Sequence, residues 1–211
     1  MSATAPNNIY DWKPILNPVF KDKDLANKIH QEGYQVCDWI SDHQLSELQN
    51  IFKEEHKLNV EEGGMFYSLY SKDLDYRLRV NDRIGAILNP ILKEHFKDYK
   101  NVVNSFVVKA SGPESEFYVH QDTTALDEFN YSPLSLWIPL QDIDANNGAL
   151  AVIEKTQWFF SPYRGVSFAF PFKNIISTVR RYLKPVFMKK GEALVFDPRI
   201  IHNSLPNNSG E

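Results

Sequence analysis

The sequence predicts an α+β protein whose second half is a β-sandwich or jelly roll. Three observations carry that class. Helical apolar periodicity runs through the chain to about residue 100, short β-type runs broken by turn signals fill the rest, and no repeat, low-complexity stretch or linker divides the two halves. Residues 1–211 therefore read as one domain, long enough to bury a sizeable core.

Residues 1–20 are aperiodic and contain Pro and Asn, which predicts a surface arm. A short helix fits 22–31, and the alternating "YQVCDWI" reads as a strand. Ser41 opens a capping box with Gln44, and Leu45, Leu48, Ile51 and Phe52 mark one face of the helix behind it. A longer helix over 72–96 carries the stripe Val80, Ile84, Ile87, Leu88, Ile91, Leu92, with Pro90 as a potential kink. The strands then come as "NVVNSFVVKA", "SEFYVHQD", "SPLSLWIPLQDI", "GALAVIE", "KPVFMKK" and "EALVFD", punctuated by "SGPE", "ANNG" and "KKGE". The final "EALVFDPRIIHNSLPNNSGE" reads as a strand and a turn with nothing after it. A double-sheet roll normally adds a closing strand, so that strand is expected outside residues 1–211.

Bulk properties exclude several function classes. A net charge of −4 with no long Lys/Arg run argues against nucleic acid. The densest basic segment, "VRRYLKPVFMKK", reads as a solvated strand flank rather than an anion site. The single Cys37 rules out an internal disulfide and a thiolate metal site, and fits a reducing compartment. No stretch approaches the roughly 18 apolar residues of a membrane span, and the N-terminus has no signal core, so the expected location is cytoplasmic.

The chemistry concentrates in "EFYVHQDTTALDEF". His120 and Asp122 are two apart on a predicted strand, so both point to one face. Such a pair alone recurs by chance, but His202, beyond "ALVFD" and the turn "PRII", supplies a second imidazole. Two imidazoles and a carboxylate form a facial triad with open coordination positions, which suits Fe(II), or zinc with a bound water. By strand parity Tyr118 shares the metal face, while Phe117 and Val119 face away. His30, His43, His56 and His95 read as surface or structural histidines.

Three blocks, "VKASGPESEFYVHQD", "LWIPLQDIDANNGALAVI" and "KKGEALVFDPRIIHNS", occur in an order that resembles the phytanoyl-CoA dioxygenase family. The resemblance covers roughly residues 100–204. It implies an Fe(II)- and 2-oxoglutarate-dependent oxygenase on a double-stranded β-helix (cupin-like jelly roll), with the N-terminal helices packed on one sheet. It implies His120, Asp122 and His202 as iron ligands, and a cosubstrate pocket drawing on Lys109, Trp137, Ser204, Asn104 and, on the metal face, Tyr118. Asn147 and Gly148 of "NNGAL" read as structural, Gly148 supplying a positive φ.

Two departures stand out. "EKTQWFF" replaces the Gly-Ser-His segment that usually follows that strand, which alters the pocket rim. The family also places an arginine about ten residues after the distal histidine to grip 2-oxoglutarate bidentately, and here that position lies beyond Glu211.

The implied reaction is hydroxylation of an aliphatic C–H of a small organic molecule, with O₂ consumed and succinate and CO₂ as coproducts. Asp122 favours hydroxylation, because related halogenases carry a small residue there. Expected substrate walls are Tyr67 with Tyr70, and the aromatic segment Trp158–Phe172, including Phe160, with Arg164 holding an anionic group. Ordinary packing competes with that second wall. Two alternatives stay open: a cupin-like metalloenzyme that does not use 2-oxoglutarate, and a non-catalytic jelly-roll binding module. Oligomeric state is not legible.

Overall fold

The computed structural model describes residues 19–56, 64–128, 130–158, 164–165 and 170–210. The N-terminal arm expected over 1–20 lies almost wholly outside them.

Local chemistry sets the helices. Asp22 caps α1 (Lys23–Glu32) by accepting from the backbone N–H groups of Asp24 and Leu25, and Gly33 ends the helix at φ 90°. After β1 (Tyr34–Cys37), the capping box forms as expected: Ser41 and Gln44 each satisfy the other's backbone N–H at the start of α2 (Asp42–Glu55). A short β2 (Met65–Tyr67) precedes α3 (Leu74–His95), which is capped by Asp73 and continues through Pro90. The α3 stripe is core: Val80, Ile84, Leu88, Ile91 and Leu92 are all buried.

The remaining elements are β3 (Val107–Lys109), β4 (Phe117–His120), β5 (Ser135–Trp137), β6 (Leu150–Ile153), α4 (Ile176–Arg180), β7 (Lys184–Val186), β8 (Ala193–Phe196) and β9 (Ile201–Ser204). All strand pairings are antiparallel. They make a β1-β8-β5 sheet, a β4-β9-β6-β7 sheet and a β2-β3 pair.

Strand parity on β8 explains the layering. Val195 faces one way and packs with α1, α2 and α3, together with Leu136 of β5. Leu194 and Phe196 face the other way and join Val36, Trp137, Leu150, Val152 and Val186 between the two larger sheets. On the outer face of the four-stranded sheet, Val119 and Ile201 pack against Val179, Phe170 and Phe172. The order is thus helices, three-stranded sheet, four-stranded sheet, and a cap that includes α4.

Two strand expectations need correction. The chain does not stop after the turn at 197–200, because β9 follows and lies inside the four-stranded sheet between β4 and β6. The expected strand parity fails at Phe117, because the β4–β9 register shifts between Phe117 and His120.

The helical layer depends on the α3 stripe, so Ile84→Ala should lower unfolding stability by about 2–5 kcal/mol. Urea denaturation with an unchanged slope would confirm it, whereas an unchanged midpoint would show that the stripe is not the core.

Candidate metal centre

β4 and β9 pair so that His120 and His202 are direct cross-strand partners. Such partners bring their side chains together on one face, and the two imidazole centroids lie 4.2 Å apart. Asp122 follows β4 on the same side. Its Oδ1 is 3.3 Å from His120 Nε2 and 3.6 Å from His202 Nε2. One ligand atom from each of the three residues fits within 4.8 Å of the others.

The ring orientation is fixed from behind. His120 Nδ1 lies 2.8 Å from the Tyr118 carbonyl, and His202 Nδ1 lies 2.9 Å from the Ile200 carbonyl. A carbonyl only accepts, so Nδ1 carries the proton in both rings and each Nε2 presents a lone pair toward Asp122. The donor set and its tautomers fit a divalent metal ion of the facial-triad type.

Electrostatics agree. Burial drops His202 to about 4, with His120 pushing the same way and Asp122 opposing. The His202–Asp122 approach is therefore a neutral imidazole beside a carboxylate, not an ion pair. Burial alone would raise Asp122, but its contacts with His120 and His202 and the nearby Arg164 outweigh it and hold the carboxyl below its ordinary range.

The aromatic surroundings differ in one respect from expectation. Tyr118 is exposed, and its ring centroid lies 5.3 Å from that of His120. Phe117, expected to face away, packs edge-on against His120 at 4.7 Å, the result of the register shift. Val119 does face away, into the outer core. Tyr67 joins Phe117 at 6.1 Å and Tyr70 at 5.5 Å. Burial, then Tyr70, Asp122 and Tyr118, push the Tyr67 hydroxyl up to about 12, so it stays protonated near the Asp122 carboxylate.

Ser204, two residues after His202, shares its face and donates to the Gly148 carbonyl at 3.3 Å. Trp137 lies in the inter-sheet layer with Phe196, whose ring is 5.4 Å from His202. Lys109 donates to the Leu205 carbonyl, and burial lowers it to about 8 against a smaller upward pull from Glu116. Gly148 has φ 88°, and a Cβ there would sit 2.6 Å from Lys109 Cδ, so both the turn and the lysine require glycine.

Other candidates are placed elsewhere. Asn104 is engaged by other asparagines: its backbone N–H donates to Asn81 Oδ1 at 2.8 Å and its amide bonds to Asn81 and Asn101, tying the chain to α3. Arg164 does not present a free guanidinium to a substrate. It is buried and bound bidentately by Glu128, at 3.1 and 2.5 Å. Phe160 lies outside the described residues. Of its aromatic neighbours, Phe170 and Phe172 belong to the outer core, while Trp158 is exposed and meets His30 edge-on.

His95 stacks on Trp39, His56 stacks on Phe52, and His43 faces solvent beside Glu47, as structural or surface histidines do. The basic segment is largely neutralised: Arg180 pairs with Glu116, Lys184 with Glu154, and Lys189 with Asp142.

Sequence reasoning missed Glu128, Thr124 and the Pro198 carbonyl, all of which hold the Asp122 loop. No spacing signal marks them, because their partners arrive from distant segments.

Solved structures share this architecture at low identity. EctD from S. alaskensis, crystallised with 2-oxoglutarate and 5-hydroxyectoine, matches with a TM-score of 0.55 at 16% identity, covering 94% of this chain and 78% of that one. EctD has also been crystallised with bound Fe. The non-heme alpha ketoglutarate dependent carbocyclase SnoK from nogalamycin biosynthesis matches at 0.57 and 15%, covering 90% and 79%. EvdMO1 matches at 0.53 and 16% over 89% of this chain, which spans 47% of that longer protein. At such identities the likeness establishes a shared fold. No curated protein matches the sequence. The sequence model of the phytanoyl-CoA dioxygenase family, PhyH, matches residues 26–211, which include both strands and all three residues of the candidate centre. The chain belongs to the phytanoyl-CoA dioxygenase family.

Proposed function

We propose that the chain is an Fe(II)- and 2-oxoglutarate-dependent dioxygenase that hydroxylates an aliphatic C–H of a small organic molecule. The observation that carries this reading is the convergence of His120 Nε2, His202 Nε2 and Asp122 Oδ1 within ligand reach. Family membership and the EctD structures holding 2-oxoglutarate and Fe support the cofactor set. The two larger sheets are then the faces of a double-stranded β-helix.

His120, Asp122 and His202 would hold the iron on one face and leave the opposite positions open. Bound iron, with 2-oxoglutarate and O₂ as cosubstrates, supplies oxidative decarboxylation to succinate and CO₂ coupled to oxygen insertion into a C–H bond. The protein's own part is orientation and exclusion of water. The backbone carbonyls of Tyr118 and Ile200 keep both imidazoles in the ligating tautomer. Lys109, Ser204 and Trp137 are the groups assigned to the cosubstrate, with Tyr118 at its edge. Tyr67, Tyr70, Phe117 and Tyr118 form an aromatic wall that carries three phenol groups, suited to an apolar body bearing a polar handle. Among the described residues no helix is long and apolar enough to cross a membrane.

Anaerobic addition of Fe(II) and 2-oxoglutarate should produce a visible metal-to-ligand charge-transfer band. Asp122→Ala should lose it while keeping the circular dichroism of the fold. A wild-type protein that binds both components without the band would sink the oxygenase reading.

The Lys109 shift gives a pH signature. Its ammonium is charged below about 8 and neutral above, so an anionic cosubstrate should bind more weakly as pH rises through that value. Lys109→Met should bind 2-oxoglutarate weakly and lose this pH dependence. A variant with the wild-type profile would remove Lys109 from the cosubstrate site.

A further inference from the structure

Asp122 is the one triad member outside a strand, since β4 ends at His120 and β9 contains His202. A carboxylate on a loop needs another source of orientation, and the structure supplies one on each side of its Cα. The Asp122 N–H donates to the Pro198 carbonyl at 2.8 Å. The Asp122 carbonyl accepts from Arg164 Nε at 2.8 Å.

Arg164 is itself held rigidly. Its side chain is 5% exposed, and the Glu128 carboxylate that grips its two terminal nitrogens is 3% exposed. The backbone adds two ties: Thr124 N–H donates to the Arg164 carbonyl at 2.8 Å, and Arg164 N–H donates to Thr124 Oγ1 at 2.9 Å. The guanidinium therefore bridges both ends of the loop that leaves the metal ligand, touching Asp122 at one end and Glu128 at the other. Burying such a pair gains the fold little over an apolar pair of similar volume. What an apolar pair would lack is the Nε–H aimed at the Asp122 peptide.

We propose that Arg164, oriented by Glu128, is a positioning residue for Asp122: it fixes the Asp122–Thr123 peptide plane behind the loop-borne ligand and so sets the affinity and geometry of the metal site. This rests on the reading of His120, Asp122 and His202 as metal ligands. It also withdraws Arg164 from substrate binding, so an anionic substrate group must be met by other residues.

The test is Co(II) titration of the metal-free full chain by calorimetry and visible spectroscopy, with a thermal melt of each metal-free variant. Arg164→Met/Glu128→Leu replaces the pair by apolar side chains. It should melt at or above the wild-type temperature, yet bind Co(II) about tenfold or more weakly with an altered d–d spectrum. Arg164→Lys keeps the charge beside Glu128 without the planar fork, and should weaken binding less while shifting the spectrum in the same direction. A double variant with wild-type affinity and spectrum would overturn the inference. So would one that fails to fold, because the pair would then serve the fold instead. Wild-type protein that takes up no Co(II), or Asp122→Ala that binds it undiminished, would overturn the metal-site reading itself.

Discussion

The pairing of β4 with β9, which sets His120 opposite His202, is the constraint on which the site depends. Strand parity makes it unforgiving: a slip of one residue would carry an imidazole to the outer face, where Val119 and Ile201 pack. The register is held from the far side as well. β6 pairs along all of β9, with Val152 opposite His202 and Leu150 opposite Ser204. Those two β6 side chains also pack into the inter-sheet core with Leu194 and Phe196 of β8. The metal face is thus an extension of the hydrophobic layer: continuously apolar β6 and β8 hold His202 in place, with Val152 opposite it and the Phe196 ring against it.

A second constraint is charge. The interior next to the triad contains two buried ion pairs, Arg164–Glu128 and Arg199–Asp197. They flank the same short segment. Pro198, whose carbonyl accepts from the Asp122 N–H, sits between Asp197 and Arg199. The Arg199 carbonyl accepts from the Gln121 amide, one residue before Asp122. The tight turn, closed by its own ion pair, holds the Gln121–Asp122 peptide and the guanidinium clamp holds the Asp122–Thr123 peptide, which leaves the Asp122 backbone little freedom. Desolvated ion pairs are poor sources of net stability. Two of them bracketing one ligand loop are better understood as fixing its conformation.

Legibility followed how local each signal is. The Ser41–Gln44 capping box, the α3 stripe, the Gly148 turn and the shared face of His120 and Asp122 each depend on residues within a few positions of one another, and the sequence shows them directly. β9 was missed because its four residues are buried on both faces, one lined by Ile201 and Asn203 and the other by His202 and Ser204. A period-2 pattern of apolar and polar residues cannot appear there. Phe117 went to the wrong face because a register shift resets parity, and nothing in "EFYVHQD" announces it.

Arg164 and Asn104 show the limit from the other direction. Arg164 is expected at a substrate anion from its chemical type and Asn104 at the cosubstrate from the family resemblance, and each is engaged by a protein partner: Glu128 for the arginine, Asn81 for the asparagine. A buried polar group must find a partner, and within a folded chain that partner is more often another residue than a substrate. The partner's position, 36 residues away for Glu128 and 23 for Asn81, is set by tertiary packing. Local spacing can therefore identify candidate ligands that lie two residues apart, as His120 and Asp122 do. It cannot identify the groups that hold those ligands still, because those contacts exist only once the sheets and loops have come together.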